Sequence, residues 1–463
     1  MTRLACSFIA YVLVAGVLFA RNRGAYLPSQ VFAVVAALAL AMLGSCLQPA
    51  SWVGRGHRVR VQLCLALFVL VEVGLLLLGS SEIVGPSEPL PWPTRIGLLA
   101  VLPIVLSYAW RRMPGASWRF PAIAAIWLGI TSPLIAHWPP PPTDVWEFQA
   151  EATTHLLHGE DPYAAEYKNP FEHKDYYSPN ILKGDYIQSF PYTPLGILLV
   201  MPGYFAGDIR WALMVAIALM AGCMIAAGRR LGLPGGHPAE LAAVAILCHP
   251  QTWFVLQTSW NEPLVGLSIA AGVWAMAAPR ETLAGMAMAV TIVVKQYGIL
   301  WLPAAWTTGR LSWRRTVPWI LLGMLTFIPF LVWHPRAIYR GLVEFQLASP
   351  FRIDSLSVPA LVAIFTGNGH HTSGFHIPAI VGFMAAVIVI VLLLRRRNQP
   401  LSYAVLGAGA IFLAFFVFNK SSHLNYYWLV QSLLAFATLV TLAEPEGTDV
   451  GQPDKTDIAA QAG

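Results

Sequence analysis

Long apolar runs, separated by short basic segments, dominate the pattern of this chain. The clearest runs cover 31–47, 61–79, 96–110, 377–394 and 401–418. A helix needs about 20 apolar residues to cross the ~30 Å hydrocarbon core of a bilayer, and these runs reach or approach that length. Open sheets cannot satisfy their backbone in lipid, and the alternating pattern of barrel strands is missing from the sequence. The pattern therefore predicts an all-α polytopic membrane protein with about 12–14 transmembrane helices.

Composition strengthens this prediction and excludes one class of partner. The 463 residues are 57% hydrophobic and only 11% charged, whereas soluble domains are about 25% charged. The net charge of +6 does not indicate nucleic-acid binding, because arginine and lysine are dispersed in short clusters between the apolar runs. This distribution is typical of the cytoplasmic loops of membrane proteins. We expect no nucleic-acid partner.

The basic clusters also predict an orientation. RGHRVR at 55–60 and RRMPGASWR at 111–119 are expected in the cytoplasm, so the helix over about 120–137 runs outward. The polar stretch 138–190 then lies outside. It is the longest polar interval of the chain and holds nine of the 23 acidic residues. Carboxylates concentrated in one outer loop of a membrane protein indicate a functional region.

The next segment, 191–207, is apolar but short and interrupted by three prolines. We expect it to form an interfacial or re-entrant helix that closes the outer loop, because a full span would place Arg229 and Arg230 outside. The predicted organisation has three parts. They are about four N-terminal helices in 1–119, a transmembrane catalytic module in 120–443 with outer loops 138–208 and 335–376, and a disordered cytoplasmic tail in 444–463.

Asp144 is the first candidate for chemistry. It follows the outward end of the fifth predicted helix, directly after a stiff proline run. A carboxylate held near the membrane surface suits a general base that takes a proton from a hydroxyl. The alternative is a helix cap, because Glu147 stands three residues further on in a pattern like a capping box. The two roles are compatible, and the residues alone do not separate them.

Lys295 is the second candidate. The run 283–310 is too long for one helix and has Lys295 and Gln296 at its middle, which favours two short helices with Lys295 at an outer turn. A lone lysine in apolar surroundings needs an anion or a route to the aqueous interface. A lipid-linked phosphate would supply the anion, and snorkelling to ordinary headgroups is the alternative.

Further polar residues fall at the same predicted level. Lys420 and His423 form a second cationic cluster. Arg352 either pairs with Asp354 or binds a phosphate in bidentate fashion. Glu262 either suits the positive end of the helix that it begins or accepts a sugar hydroxyl. Ionisable residues at a membrane edge are candidates for function because their burial is costly.

Two other patterns have simpler explanations. His370, His371 and His376 lie in a glycine-rich loop, and adjacent histidines are poor ligand geometry, so we expect no metal there. Tyrosine and tryptophan are abundant near the ends of the predicted helices. An interfacial aromatic belt explains most of them, and some of their faces also suit sugar rings.

The order of these features resembles the GT-C superfamily of integral-membrane glycosyltransferases. The shared features are an aspartate early in the first large outer loop, an apolar juxtamembrane helix that closes this loop, and a lysine at an outer turn. The closer resemblance is to bacterial polyprenol-phosphate-mannose-dependent mannosyltransferase-like proteins. The segments that carry it are 144–163, 190–212, WNEPL at 260–264, VKQYGILWLP at 294–303 and 345–357.

The resemblance implies a GT-C-like fold whose first large extracytoplasmic loop is catalytic. It implies transfer of a hexose, with mannose expected, from a polyprenyl-phosphate sugar to an acceptor hydroxyl in one inverting displacement. Asp144 would be the general base. Binding of the donor phosphate is assigned to Lys295, Arg352, Lys420 and His423, and binding of the sugar or acceptor to Asn261, Glu262, Gln296, Asp354 and Tyr163.

The expected partners follow from this reaction. They are the polyprenyl-phosphate sugar, membrane lipids and a glycan, glycolipid or protein acceptor, at the extracytoplasmic side of a bacterial inner membrane. No cofactor is expected. Some members of the superfamily have a second acidic residue beside the aspartate, but the neighbours here are Thr143 and Val145, which leaves a divalent metal an open question. The alternative function is a transporter or flippase of a lipid-linked saccharide, which should show inverted repeats and broken helices. The sequence has no visible repeat.

Overall fold

A computed structural model describes residues 2–19, 26–47, 55–78, 90–108, 118–171, 176–233, 237–366 and 380–443. The glycine-rich loop with its three histidines and the C-terminal tail 444–463 lie outside the described residues. The second outer loop, predicted over 335–376, is described as far as Thr366.

The described residues are mainly helical. The N-terminal helices are α1 (Arg3–Phe19), α2 (Pro28–Cys46), α3 (Arg55–Leu78), α4 (Trp92–Ser107) and α5 (Arg119–His137). The outer loop contains α6 (Asp144–Leu157), β1 (Tyr167–Lys168), β2 (Leu182–Lys183), β3 (Tyr186–Ile187) and α7 (Pro194–Phe205). Then follow α8 (Arg210–Arg230), α9 (His237–Cys248), α10 (Pro250–Gln257), α11 (Glu262–Ala277), α12 (Glu281–Val294) and α13 (Trp301–Trp306).

The C-terminal part continues with α14 (Trp313–Met324), α15 (Ile328–Trp333), α16 (Pro335–Tyr339), α17 (Phe345–Ala348), α18 (Val358–Phe365), α19 (Ile380–Leu394), α20 (Leu401–Val417) and α21 (Leu424–Ala443). Two 3-10 helices, Gln296–Leu300 and Leu325–Phe327, and one π-helix, Arg340–Glu344, join some of these elements. This architecture confirms the predicted all-α polytopic class.

Six helical segments of the described chain are long and apolar enough to cross a membrane, or seven if the bent pair α9 and α10 is one span. Those six are α2, 59–78 of α3, α5, α8, 313–333 and α21. Further apolar helices of 10–17 residues, among them α1, α11, α12, α19 and α20, are shorter than the usual span. The predicted total of about 12–14 spans therefore stays a prediction.

The first helices pack against the last ones. α1 contacts α2 and α21, α2 contacts α20, and α3 contacts α9. One continuous hydrophobic core runs through these helices. The proposed division at residue 119 stays a prediction, and the N-terminal helices share their core with the module that follows.

The outer loop contributes most of a second hydrophobic core, which the sequence did not indicate. Its three short strands form an antiparallel sheet in the order β1-β3-β2, with Tyr167 opposite Ile187. Gly184, at the turn between β2 and β3, has a φ of 64°, a backbone conformation that favours glycine. The second core is built mainly of aromatic and branched side chains: Phe148, Ala152, Tyr163, Tyr167, Tyr177, Ile181, Ile187, Phe190, Ile197, Phe330, Ile338 and Phe345. We call this group the outer core.

Two local predictions are confirmed. The segment after the outer loop forms the separate helix α7, whose twelve residues rise about 18 Å, less than a bilayer needs. The run 283–310 is divided into two helices, because α12 ends at Val294 and Lys295 has an extended backbone before a 3-10 turn. The position of α7 relative to a membrane stays a prediction.

Candidate active site

A cavity of about 530 Å³ lies between the outer core and the ends of α20 and α21. Residues from α6, from the 3-10 turn after Lys295, from α17 and from the α20–α21 connection line it. Seven of the ten predicted site residues are in its wall, although they are up to 279 positions apart in the chain: Asp144, Lys295, Gln296, Arg352, Asp354, Lys420 and His423. Their convergence is what makes this cavity the candidate active site.

Asp144 is the first residue of α6, and Thr143 occupies the cap position. The cap interpretation of Asp144 is therefore wrong by one residue. The Thr143 hydroxyl instead donates to the carbonyl of Thr258, at 3.0 Å. The Asp144 carboxylate lies at the positive end of α6, and its Oδ2 accepts a hydrogen bond of 2.8 Å from the Tyr177 hydroxyl.

The electrostatic surroundings of Asp144 suit a base. Burial raises the pKa of its carboxyl, while the Tyr177 hydrogen bond and the charge of Arg352 act in the opposite direction. A base is most effective when its pKa lies near the working pH, so a raised carboxyl pKa favours proton transfer from a hydroxyl. The carboxylate also accepts from backbone N–H groups at the start of α6, and its two oxygens keep further capacity to accept a proton.

The backbone before Asp144 is fixed by Arg210, the first residue of α8. The guanidinium is buried and donates to the carbonyls of Trp138 at 3.0 Å and Pro139 at 3.2 Å. Asp208 binds the same guanidinium at 2.6–3.0 Å. These contacts hold the start of the proline run, and Thr143 holds its end. The base is thus positioned by fixed backbone at both sides of the prolines.

Lys295 has a partner that the sequence did not reveal. Its ammonium forms an ion pair with Glu262, which also accepts a hydrogen bond of 3.0 Å from the Tyr297 hydroxyl. Both partners are buried. The rings of Tyr192, Tyr297 and Tyr426 surround the ammonium at 5.3–5.8 Å from their centroids. Snorkelling is therefore the wrong interpretation of Lys295.

Glu262 and Asn261 lie behind the cavity wall. Asn261 precedes α11 and Glu262 begins it. The Glu262 carboxylate therefore stands at the positive end of a helix, which is one of its two interpretations from the sequence. Neither residue lines the cavity. The predicted contact of these two side chains with the sugar is not supported by their positions, because Glu262 is used to balance the charge of Lys295.

Arg352 and Asp354 form the pair that one interpretation predicted. Two bonds of 2.7 and 2.6 Å join the guanidinium to the carboxylate. The guanidinium also lies on the face of Tyr176, with 3.6 Å from its central carbon to the ring centroid. Both residues remain in the cavity wall, so Arg352 reaches the cavity as one half of an ion pair.

Lys420 is held differently. Its ammonium donates to the backbone carbonyls of Leu347 at 3.1 Å and Ser349 at 2.5 Å, and no carboxylate pairs with it in the part of the chain that the structure describes. Burial lowers the pKa of Lys420 to about 8. At neutral pH it is a cation whose charge is not neutralised by an acidic side chain.

His423 changes the predicted cationic cluster. Burial, together with the nearby charge of Arg352, lowers the pKa of His423 to about 4. The imidazole is therefore neutral at neutral pH, and its Nε2 lies 3.1 Å from the Ser421 hydroxyl. Of the predicted pair, Lys420 carries the charge, and His423 is available for hydrogen bonding alone.

The two remaining predicted residues differ in position. Gln296 is exposed to the cavity, and its amide donates to the carbonyl of Pro191 at 3.1 Å. Tyr163 is buried in the outer core and donates to the carbonyl of Tyr192 at 2.6 Å. It is not in the cavity wall, so its predicted contact with the sugar is not supported. It supports the backbone of Tyr192 instead.

Sequence reasoning missed several residues of the site. Tyr177 and Arg210 were not singled out, and Tyr192 and Tyr426 were attributed to an interfacial belt. The available signal was the density of aromatic residues in the outer loop. Five further aromatic residues also line the cavity, and we call them the second aromatic group: Tyr26, Phe254, Phe383, Phe415 and Phe416.

Within the described residues, no group of three or more histidine, cysteine, aspartate or glutamate side chains is arranged to hold a metal ion. The three histidines at 370, 371 and 376 lie outside the described residues. The use of a divalent metal therefore stays an open question.

The helical fold and this cavity define a polytopic membrane protein with a carboxylate and a cation facing one internal site. Residues 190–419 match the model of glycosyltransferase family 87, a family of GT-C type membrane glycosyltransferases. The match confirms the predicted resemblance to the GT-C superfamily and supports a glycosyltransferase, which acts on a sugar donor and an acceptor. The matched region includes Lys295, Arg352 and Asp354, and Asp144 precedes it. A comparison with curated proteins found no match.

Proposed function

We propose that this protein transfers a hexose from a polyprenyl-phosphate sugar to an acceptor hydroxyl outside a bacterial inner membrane, with mannose as the first candidate. The observation that carries the proposal is one cavity in which the Asp144 carboxylate, the Lys420 ammonium and a set of aromatic side chains meet. A lipid-linked donor has matching parts: a sugar beside the base, an anionic phosphate and an apolar chain.

The reaction is a single displacement. Asp144 takes the proton of the acceptor hydroxyl while the acceptor oxygen forms a bond to the anomeric carbon. The bond from that carbon to the phosphate oxygen breaks, and polyprenyl phosphate leaves with one more negative charge than the phosphodiester carried. Cationic donors in the cavity stabilise this developing charge, and such stabilisation is usually the largest contribution to catalysis.

The second aromatic group is the part of the cavity lining that suits the lipid. Tyr26, Phe254 and Phe383 come from three different parts of the chain, and Phe415 and Phe416 end α20. Apolar surface of this kind favours a hydrocarbon chain over water. With the isoprenoid against Phe415 and Phe416, its phosphate would reach the neighbouring α20–α21 connection, where Lys420 lies.

The test is transfer by the purified full-length protein. Polyprenyl-phosphate mannose, glucose and arabinose would be offered with glycan, glycolipid and peptide acceptors, and the same sugars as nucleotide donors would be the control. We expect transfer from a lipid-linked donor alone, with inversion at the anomeric carbon seen by NMR. Transfer from nucleotide sugars, or retention, would contradict the proposal.

One observation favours the second candidate, a transporter of a lipid-linked saccharide. α9 and α10 meet at a bend of 51°, and broken helices are common at transport sites. Protein in liposomes would be assayed for movement of the lipid-linked sugar between leaflets. Movement without transfer to any acceptor would favour the transporter. The predicted orientation is tested separately with single cysteines introduced near residue 165, which should react with a reagent added outside the cell.

A further inference from the structure

Glu72 is a buried carboxyl group that the proposed reaction does not use. It lies in the apolar part of α3, inside the candidate span 59–78. Its side chain has no exposed surface, and neither carboxylate oxygen has a hydrogen-bond partner among the described residues. Acidic residues in a membrane span are rare and mark functional sites by default.

Two polar groups from other helices lie at the same place. Tyr11 of α1 packs its ring edge against Phe68, one helical turn before Glu72, with 5.3 Å between the ring centroids. The Tyr11 hydroxyl lies near Glu72 and near the amide of Gln431 on α21. All three groups are buried without a hydrogen-bond partner among the described residues. Tyr11 and Gln431 are also fully or almost fully buried. Three helices thus bring a carboxyl, a phenol and an amide together in the protein interior.

The fourth side of this site is the break between α9 and α10. α9, which ends at Cys248, packs against α3, the helix that carries Glu72. His249, at the bend, is buried, and its Nδ1 accepts the backbone N–H of Gln251 at 3.0 Å. An imidazole that accepts at Nδ1 carries its proton on Nε2 and is neutral, so this side contributes no positive charge.

The charged groups on the helices that pack against α3 are engaged elsewhere. On α4, the Arg95 guanidinium lies over the ring of Trp92. On α9, Glu240 is bonded to Arg229 at 3.0 Å and accepts from Tyr108 at 2.8 Å. Among the described residues, no cation is paired with Glu72.

An ionised carboxylate without a partner in such a place is costly, and binding a proton removes the charge. A carboxylic acid offers one O–H donor and one carbonyl acceptor, which complement the Tyr11 hydroxyl and the Gln431 amide. A hard divalent cation would need six or more oxygen ligands, whereas these three side chains supply four oxygens. We propose that Glu72, Tyr11 and Gln431 form an intramembrane proton-binding site that is separate from the catalytic cavity.

The site connects two parts of the molecule. Glu72 and Tyr11 belong to the N-terminal helices, whereas Gln431 belongs to α21, whose first turn supplies Leu424, Asn425 and Tyr426 to the catalytic cavity. Loss of the proton would place an uncompensated charge between these helices. The ligand of this site is therefore a proton that neutralises the contact between the N-terminal helices and α21.

Infrared spectroscopy of the full-length protein in lipid nanodiscs tests this assignment at neutral pH. We expect a carboxylic-acid C=O band that is lost in Glu72→Gln. In Tyr11→Phe the band should shift to higher frequency, because the protonated carboxyl then has no phenol from which to accept a hydrogen bond. Two controls should keep the band: Asp144→Asn, which removes a carboxyl whose pKa is also raised by burial, and Glu281→Gln, which changes a surface ion pair with Arg315.

The outcomes are separable from those of the proposed enzyme activity, because the band is read without donor or acceptor. If Glu72→Gln does not fold, the Tyr11→Phe shift still tests the site. A band that survives in Glu72→Gln would overturn the proposal. So would a carboxylate band in the wild-type protein that moves when sodium or potassium ions are added, since that would indicate a cation site.

Discussion

Lys295 and Lys420 line the same cavity, and their charges are balanced in different ways. Lys295 is paired with the buried carboxylate of Glu262 and enclosed by tyrosine rings. Lys420 is held by two backbone carbonyls and has no acidic partner in the described part of the chain. A carbonyl orients an ammonium without neutralising it, whereas a carboxylate does both.

The difference separates the location of a charge from its availability. The resemblance assigned the donor phosphate first to Lys295, and the geometry favours Lys420 as the stronger anchor. Arg352 resembles Lys295 in this respect, because Asp354 neutralises it. We therefore expect the cavity to hold one uncompensated cation, Lys420, and two cations, Lys295 and Arg352, whose charge is already balanced. Five predictions test this comparison, from the largest expected effect to the smallest.

Replacing the base, Asp144, should leave the contacts of both lysines intact. In Asp144→Asn, we expect turnover to fall by about 10²–10⁴-fold, the usual contribution of a general base. Binding of the donor should change little, because the phosphate contacts are elsewhere in the cavity. Initial rates of transfer and equilibrium binding of a labelled donor measure the two separately. Full turnover in Asp144→Asn would remove Asp144 from the mechanism.

Breaking the ion pair between Lys295 and Glu262 should lower the stability of the protein. In Glu262→Gln, the buried ammonium of Lys295 loses its counterion, and removal of one partner of a buried ion pair costs about 3–5 kcal/mol. The free energy of unfolding in detergent measures this loss. The double variant Glu262→Gln/Lys295→Met should recover part of it, since no charge is then left unpaired. Equal stability of the single and double variants would show that an unpaired Lys295 carries no energetic cost, and therefore that Glu262 does not stabilise a charged Lys295.

Removing the uncompensated cation should weaken donor binding. In Lys420→Met, loss of a hydrogen bond to a charged phosphate costs about 1.5–3 kcal/mol, which corresponds to a KM for the donor roughly 10- to 100-fold higher. The matched variant Lys295→Met/Glu262→Gln should raise this KM less. If the Lys295→Met/Glu262→Gln variant raises the KM more than Lys420→Met does, Lys295 is the phosphate anchor and our comparison of the two lysines is wrong.

The same cation predicts a pH dependence. Burial lowers the pKa of Lys420 to about 8, so the ammonium is charged below this pH and neutral above it. Donor affinity should therefore fall as the pH rises through about 8. Lys420→Arg keeps its charge in this range and should bind with little change. A wild-type profile that is flat between neutral pH and the ordinary lysine pKa would contradict this role.

The smallest expected effect concerns the hydrogen bond to the base. The Tyr177 hydroxyl stabilises the charged form of Asp144, so Tyr177→Phe should raise the carboxyl pKa further. A hydrogen bond is worth about 1.5–3 kcal/mol to a charged group and about 0.5–1.5 kcal/mol to a neutral one, and the difference of about 1 kcal/mol corresponds to a shift of about 0.7 pH unit. The acid limb of kcat should move to higher pH, with a small change in the plateau. A shift to lower pH would show that Tyr177 does not donate to the base.

The sequence predicted those parts of the fold that depend on local pattern. The apolar runs determined the helical membrane class, the prolines in 191–207 gave a short separate helix, and the position of Lys295 marked a break between two helices. Each of these follows from helix length, backbone geometry or solvation of one segment. The candidate base and cations were also visible, because ionisable residues are conspicuous in an apolar chain.

Tertiary structure alone decided how these residues are used. The pairing of Lys295 with Glu262 joins positions 33 residues apart, and the hydrogen bond from Tyr177 to Asp144 also joins positions 33 apart. Tyr163 lies outside the site because its ring packs in the outer core. His423 is neutral because burial lowers its pKa. Partners and burial depend on packing between distant segments. The sequence therefore determined which charges reach this face of the protein, and the fold decided which of them remain available to a ligand.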